Sequence, residues 1–497
     1  MAGGVQAEAS VGELVEFSLL HCHSSGNSGG GLRTLGGKYV MTNSTIMGCS
    51  APQGGGTYSW QTELALVNVL VTGCSATTDQ VSEGGGGIFV HSGTFRMIGG
   101  SIRNCEASKG FAFAGAIFVK GDQAQVELFG VTVKSCTGGS YGGCMASKDK
   151  GHISLKDVSF EDCNLVNSCG GTYAINAGDT TIDATNVRVG PPSLRYAPSP
   201  GCSGNSVRLA GRSSWKDSTI TDCPMTCLVI SSTAVVTLRR TSVLRSDGLP
   251  NGDNYSPCIF NLGSLVLVDS LLADCKAGGI WHGPEGAGES NSTDTFEGRL
   301  ALRNTTLRNC SVLPEGDHYL TLGTARAASN FQAELLTLEP SCNDGQSGEL
   351  IGVKDPAFTA PLNLRGLRVI APAACATTNL FTELSVVSNH IRLVNCSDDA
   401  FSVCDAAATC TELQLLPNVT TVNCSCQGGT FENATSPALA PYGFQPSTAG
   451  LPEAPAIDYC VRSGLLYQVG TRAAGTSLHV SLAVPRRSRS GWRSLPI

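Results

Sequence analysis

Apolar positions along this chain recur in one short pattern: apolar, any, apolar, two residues, small or apolar, any, apolar, two residues, cysteine. One copy reads Val126, Leu128, Val131, Val133, Cys136, and the next reads Ile153, Leu155, Val158, Phe160, Cys163. The same spacing fits Leu64 to Cys74, Phe95 to Cys105, Leu265 to Cys275 and Leu300 to Cys310, and degraded copies end at Cys22, Cys49, Cys223 and Ser246. Alternation with a period of two marks a strand with one buried face, and the step of three inside the pattern marks a bend that turns the apolar side inward again. Each copy therefore predicts two short strands meeting at a corner. A glycine-rich turn and a third strand follow the cysteine, as in GGGIFV (85–90), GAIFV (115–119), GGCMA (142–146) and CGGTYA (169–174).

Cysteine spacing drifts between 25 and 31 residues from Cys22 to Cys163. A coil absorbs such drift by lengthening one loop. The pattern predicts an all-β, right-handed parallel β-helix, a single solenoid of about a dozen turns over residues 1–400, with a Cys-rich irregular C-terminal region. Stacking at ~4.8 Å per turn makes a rod on the order of 55–60 Å long. Equivalent residues then lie above one another, so Cys22, Cys49, Cys74, Cys105, Cys136, Cys163, Cys223, Cys275 and Cys310 form a column. Two readings stay open for it. Small thiols fill a buried corner, or local disulfides pair Cys136 with Cys144, Cys163 with Cys169 and Cys223 with Cys227. Bridges from one rung to the next are disfavoured by their parallel Cβ vectors. Just before the cysteine stand Gly48, Gly73, Asn104, Ser135, Asp162, Asp222, Asp274 and Asn309, residues that accept the left-handed backbone of a tight corner.

The far end reads differently. Residues 401–430 form a Cys-rich segment in which CSCQGG resembles a fragment of an EGF-like module, with Cys375, Cys396, Cys404, Cys410, Cys424 and Cys426 in or near it. Residues 431–456 have the Pro, Ala and Gly content of a linker, and 457–497 read as a short β segment with a disordered basic tail, RRSRSGWRS.

Composition sharpens this picture. The chain has 60 glycines, 22 cysteines and a formal charge of −7. So many cysteines without paired CxxC spacing suit an oxidising compartment better than a zinc site. The acidic balance leaves no basic stripe visible in the sequence outside the tail, so nucleic acid is not an expected partner. Glycan acceptors are expected at Asn43, Asn291, Asn304, Asn309, Asn395, Asn418, Asn423 and Asn433, with Asn254 weakened by Pro257. These point to an extracellular or cell-surface site. No leader precedes the first repeat, so its loss from this chain is expected, and membrane association would need a segment not present here.

Chemistry is thin. The nearest echo of a carboxylate pair is Asp398-Asp399, and glycoside hydrolysis needs two facing carboxylates. His21-Cys22-His23 has ligand-type residues but no third ligand nearby, and reads as a solvated pair beside the column. Trp281-His282-Gly283 has two readings, a loop-tip aromatic contact for sugar or protein and, as the usual case for a lone aromatic, packing alone. No catalytic, metal or cofactor residue is assigned.

The strand openings GGGIFV and GAIFV resemble the repeat motif of the chlamydial polymorphic outer membrane proteins. Their Phe-x-x-Asn motif is echoed by Phe160-Glu161-Asp162-Cys163 and Ile102-Arg103-Asn104-Cys105, with Cys where the family has Asn. The resemblance covers roughly residues 10–330, and similar repeats occur in surface proteins of unicellular eukaryotes. It implies a pectin-lyase-like β-helix and surface adhesion. The expected function is a non-catalytic structural or adhesive repeat protein whose partner is a cell-surface or matrix protein or a polysaccharide. The alternative is a carbohydrate-active enzyme or binder using a groove on the helix.

Overall fold

The computed structural model describes residues 4–353 apart from 27, 78–83, 108–112, 140, 166–173, 192–205, 248–256, 285–295, 311–318 and 340–350. Beyond them it describes the strands 363–369, 408–416, 419–426, 431–433, 458–462, 465–471 and 478–483.

Each turn of the chain contributes to three main columns of strands, paired in parallel from one turn to the next, and five successive turns add a two-residue strand after the cysteine, from Ser50–Ala51 to Asn164–Leu165. An opening column runs from Val5–Glu8 through Leu32–Leu35, Ile117–Lys120 and Met145–Lys148 to Ile351–Val353. In the middle column, Val11, Lys38, Glu63, Thr94, Gln125, His152, Thr181, Arg212, Val235, Ser264 and Arg299 begin successive rungs. A corner column of short strands such as Thr45–Met47, Leu70–Thr72, Ser101–Arg103 and Thr132–Lys134 completes the turn. This is a parallel β-solenoid. The step from rung to rung ranges from 23 residues (Arg212 to Val235) to 35 (Ser264 to Arg299).

The alternation in sequence is the alternation in space. In the rung Gln125–Phe129 the inward Val126 and Leu128 are 0% and 1% exposed, while Gln125 and Phe129 face out. Each fully buried aliphatic side chain of this kind stabilises by ~1.5–3 kcal/mol. Stacked over the rungs they make one continuous core from Leu19 to Ile351. At the N-terminal end Val5, Ala7 and Leu14 are only half-buried, because no rung of the described residues covers them.

Two bends frame the corner strand, and both are left-handed. The first places Glu16, Asn43, Asn68, Asp157, Asn186, Asp217, Arg240, Asp269 and Asn304 at positive φ, for example 46° at Asn43. The second does so for the residue just before the cysteine, with Asn104 at 51°, Ser135 at 53° and Asp162 at 55°. Asn and Asp tolerate this conformation because their short side chains bond locally. Here they also bond along the axis. Asn186 Nδ2 donates to Asp157 Oδ1 at 2.7 Å, and Asn304 Nδ2 donates to Asp269 Oδ1 at 2.9 Å, each one rung back.

The all-β expectation meets one short exception. Ala325–Ser329 is a helix, begun by Thr324, whose Oγ1 accepts from the amide of Ala327 at 3.1 Å. Further on, Ala408–Leu416 pairs antiparallel with Val419–Cys426, and Asp458–Arg462, Leu465–Thr471 and Leu478–Ala483 belong to a four-stranded antiparallel sheet. The backbone at 408–426 is therefore a hairpin. Phe431–Asn433, at the start of the expected linker, is a strand of that sheet. The remainder of the linker and the basic tail lie outside the described residues.

Candidate functional site

The cysteine column is the most concentrated chemistry of the solenoid. Cys49, Cys74, Cys105 and Cys136 are buried free thiols on successive rungs, and Cys22 at the end of the column is half-buried and also free. Hydrogen bonding to Cys74, then burial, pushes the Cys49 thiol up, and Cys105 is pushed up by hydrogen bonding to Cys136 and Cys74 and by burial. Cys49 and Cys105 therefore stay protonated and poorly nucleophilic at neutral pH, while hydrogen bonds from Cys105 and Cys49 pull the Cys74 thiol between them down to about 4.

What faces each cysteine decides whether it is bonded. The residue that opens a turn lies across from the cysteine that closes it. A Cβ built on Gly56 would stand 3.2 Å from Cys74 Sγ, and one on Gly87 3.2 Å from Cys105 Sγ. In register with these glycines come Ala116 and then Cys144. Cys144 is bonded to Cys163 across its own turn, with Cα atoms 5.2 Å apart. The pairs Cys136–Cys144 and Cys163–Cys169 are therefore corrected. Cys136 faces Ala116, and Cys163 is already taken by the residue opposite, while Cys169 lies outside the described residues. Cys258 and Cys275 repeat the same arrangement, a pair with no sequence signal beyond its register. Cys227 faces Ser246, which cannot bridge, and bonds instead to Cys223 on the neighbouring rung. Ala116→Cys should accordingly form a further bridge with Cys136. Thiol titration under denaturing conditions should count one fewer free cysteine, and unfolding free energy should rise by ~3 kcal/mol, the value for a loop of this size. An unchanged stability with one additional titratable thiol would refute the facing rule.

A second cluster stands outside the wall. The outward residues of the opening column include Tyr58, Phe89 and Phe118, with ring centroids 5.3 and 5.0 Å apart along the stack. Phe113 lies on Phe118 and Tyr141 stacks on Phe113 at 4.4 Å, so Phe89 and Phe118 are 1% and 0% exposed. His91 stacks on Phe89, and Trp60 lies beside it, 41% exposed. Sequence reasoning passed over this group. Its signal is the unbroken apolar run Ile88-Phe89-Val90 and again Ile117-Phe118-Val119, which marks a strand covered on both faces.

The sequence-derived positions fall as follows. Asn43, Asn304 and Asn309 emerge from exposed left-handed bends, and Asn309 Nδ2 donates to Asp274 Oδ1 at 2.7 Å. Asn291, Asn395 and Asn254, with Asp398 and Asp399, lie outside the described residues, as do the side chains of Asn418, Asn423 and Asn433. His21 occupies the second bend, and His23 Nδ1 pairs with Ser50 Oγ at 2.8 Å. The Trp281-His282 pair is not a loop tip. It lies in the strand Ile280–His282, with Trp281 Nε1 donating to the carbonyl of Gly283 and His282 fully buried. His282 Nδ1 accepts from Asn261 Nδ2 at 2.9 Å, and its Nε2 has no partner among the described residues. Burial holds this imidazole down to about 4. Among the described residues no three His, Cys, Asp or Glu side chains converge as metal ligands, and no helix is long and apolar enough to cross a membrane.

No family model matches the chain, and no curated protein does. One solved structure, ORF18 of Geobacillus virus E2, aligns over 95% of this chain and 72% of its own length, at 10% identity and a TM-score of 0.22. That overlap is too loose to bear on fold or role.

Proposed function

We propose that the chain is a non-catalytic structural and adhesive repeat protein of the extracellular space or cell surface, a glycosylated rod that displays loops. One observation carries the reading. The number of residues from the start of the middle strand to the cysteine is constant: 11 from Lys38 to Cys49, Gln125 to Cys136, Arg212 to Cys223 and Arg299 to Cys310. The arm after the cysteine varies, from 5 residues (Cys223 to Leu228) to 14 (Cys74 to Ile88). A rigid half and a variable half divide the work as binding scaffolds do, with loops carried on fixed strands. The three disulfides among the described residues fit an oxidising compartment. A polysaccharide, or a protein of the cell surface or matrix, is the partner such a rod suits.

The test is to immobilise the full chain and expose it to arrays of glycans and matrix proteins, and separately to incubate it with pectins, alginate and other polyuronides. Binding without turnover is the expected result. An unsaturated sugar product absorbing in the ultraviolet, or a new reducing end, would replace this reading with the carbohydrate-active one.

A further inference from the structure

Stacking creates a charge array that the linear sequence conceals. The fifth residue of each middle rung points out at the edge of the first bend, and from the sixth rung of that column onward these residues are Lys156, Thr185, Lys216, Arg239, Val268 and Arg303. The lysines and arginines among them are exposed. Arg212 and Arg299 begin two of the same rungs and are exposed as well. Among the described residues none of these six cations forms a salt bridge, although Lys216 and Arg239 stand near enough to Asp217 to help lower its pKa; Lys156 lies 5.2 Å over the Phe129 ring.

The carboxylates of this face are largely engaged. Asp217 is held by Arg240 through Nε and Nη2 at 2.6 and 2.9 Å, which lowers its pKa. Asp157 and Asp269 accept from Asn186 and Asn304, and Asp183 lies 3.6 Å from His152. Glu334 pairs in register with Arg303 at the far end of the stripe. Between the cations the surface is small and flat, formed by Ser214, Thr237, Val266 and Ala301.

We propose that this stripe binds a linear sulfated polysaccharide laid along the solenoid axis. The proposal rests on the adhesive reading above and names the ligand class. Lys156, Lys216, Arg239 and Arg303 share one line along the axis, with Lys216 and Arg239 on adjacent rungs ~4.8 Å apart and Lys156 and Arg303 each two rungs further on, a spacing that suits an extended chain with an anion on each sugar or two. Four of the six are arginines, whose planar forks match the oxygens of an oxyanion better than an ammonium does. Serine and threonine hydroxyls between them are complementary to sugar hydroxyls. A nucleic-acid duplex presents its phosphates on a curved surface, and the aromatic ring at the start of the stripe, Phe129, is already overlain by Lys156.

The experiment measures binding of the full chain to heparin, polygalacturonate, neutral dextran and a DNA duplex at several salt concentrations. The variants are the double substitution Arg239→Glu with Arg303→Glu and the conservative pair Arg239→Lys with Arg303→Lys, with circular dichroism to confirm the fold. Heparin should bind, weaken as salt rises, and lose at least about tenfold in affinity in the glutamate variant, with most of it kept in the lysine variant. Equal heparin affinity in wild type and glutamate variant overturns the proposal, as does tighter binding of DNA or of polygalacturonate than of heparin. If no polyanion binds while array partners still do, this proposal fails and the adhesive reading survives. If nothing binds at all, both fail.

Discussion

Trp215→Ala will lower the unfolding free energy by ~3–5 kcal/mol, whereas Trp215→Phe will cost about 1 kcal/mol or less. Trp215 points inward from its middle rung and is 1% exposed, with Ala184 on the rung before and Leu238 on the rung after. Alanine leaves a cavity that flanking strands, fixed by ladder bonds on both sides, cannot close. Phenylalanine refills most of the space and removes the indole N–H, which is buried without an acceptor among the described residues. The orphaned donor carries a desolvation penalty that offsets much of the tryptophan's extra burial. Denaturant unfolding followed by far-ultraviolet circular dichroism separates the two variants. Equal losses would show that the indole nitrogen is satisfied in solution.

Acid will destabilise the solenoid through His282, and the sign follows from its burial. The imidazole is neutral in the folded chain down to about 4, while the unfolded chain takes up a proton near the ordinary value of about 6.5. The folded state is therefore favoured fully above pH 6.5, and this part of the stability is lost as pH falls from there to about 4, where the loss levels off. The window of roughly 2.5 units corresponds to ~3 kcal/mol. His282→Leu removes the titration and matches the Leu322 that follows on the next rung. Asn261 keeps a partner in the carbonyl of Arg299. The variant should show a flatter stability profile between pH 6.5 and 4 in denaturant titrations. A profile parallel to wild type would mean that the ring is solvated or paired.

Periodicity was enough to read the coil, because the alternation, the step of three and the closing cysteine recur together from turn to turn. The left-handed bend before Cys105, Cys136 and Cys163 was legible for a similar reason, since Asn, Ser and Asp at one fixed place answer a backbone demand. Pairing of the cysteines was not legible. It depends on which residue of the opening column lies across the turn, and the variable arm hides that register. The basic stripe was invisible because Lys216, Arg239 and Arg303 stand 23 and 64 residues apart and become neighbours only through stacking. An acidic total misled for the same reason: net charge says nothing about where a repeat gathers its exceptions. His282 was not legible as a core residue, because its strand is only three residues long and shows no alternation of its own in the sequence.

The uneven step between rungs has a mechanical side. In a rod whose ladder bonds run along its length, tension applied at the two ends loads one terminal rung at a time, so the rod peels instead of shearing. Each peeled rung sets free the 23 to 35 residues between it and the next, or roughly 80 to 120 Å of slack chain. Where Cys144 is tied to Cys163, 19 of those residues stay looped. A tether built this way would lengthen in unequal steps, and its covalent loops would set where the extension is shortest.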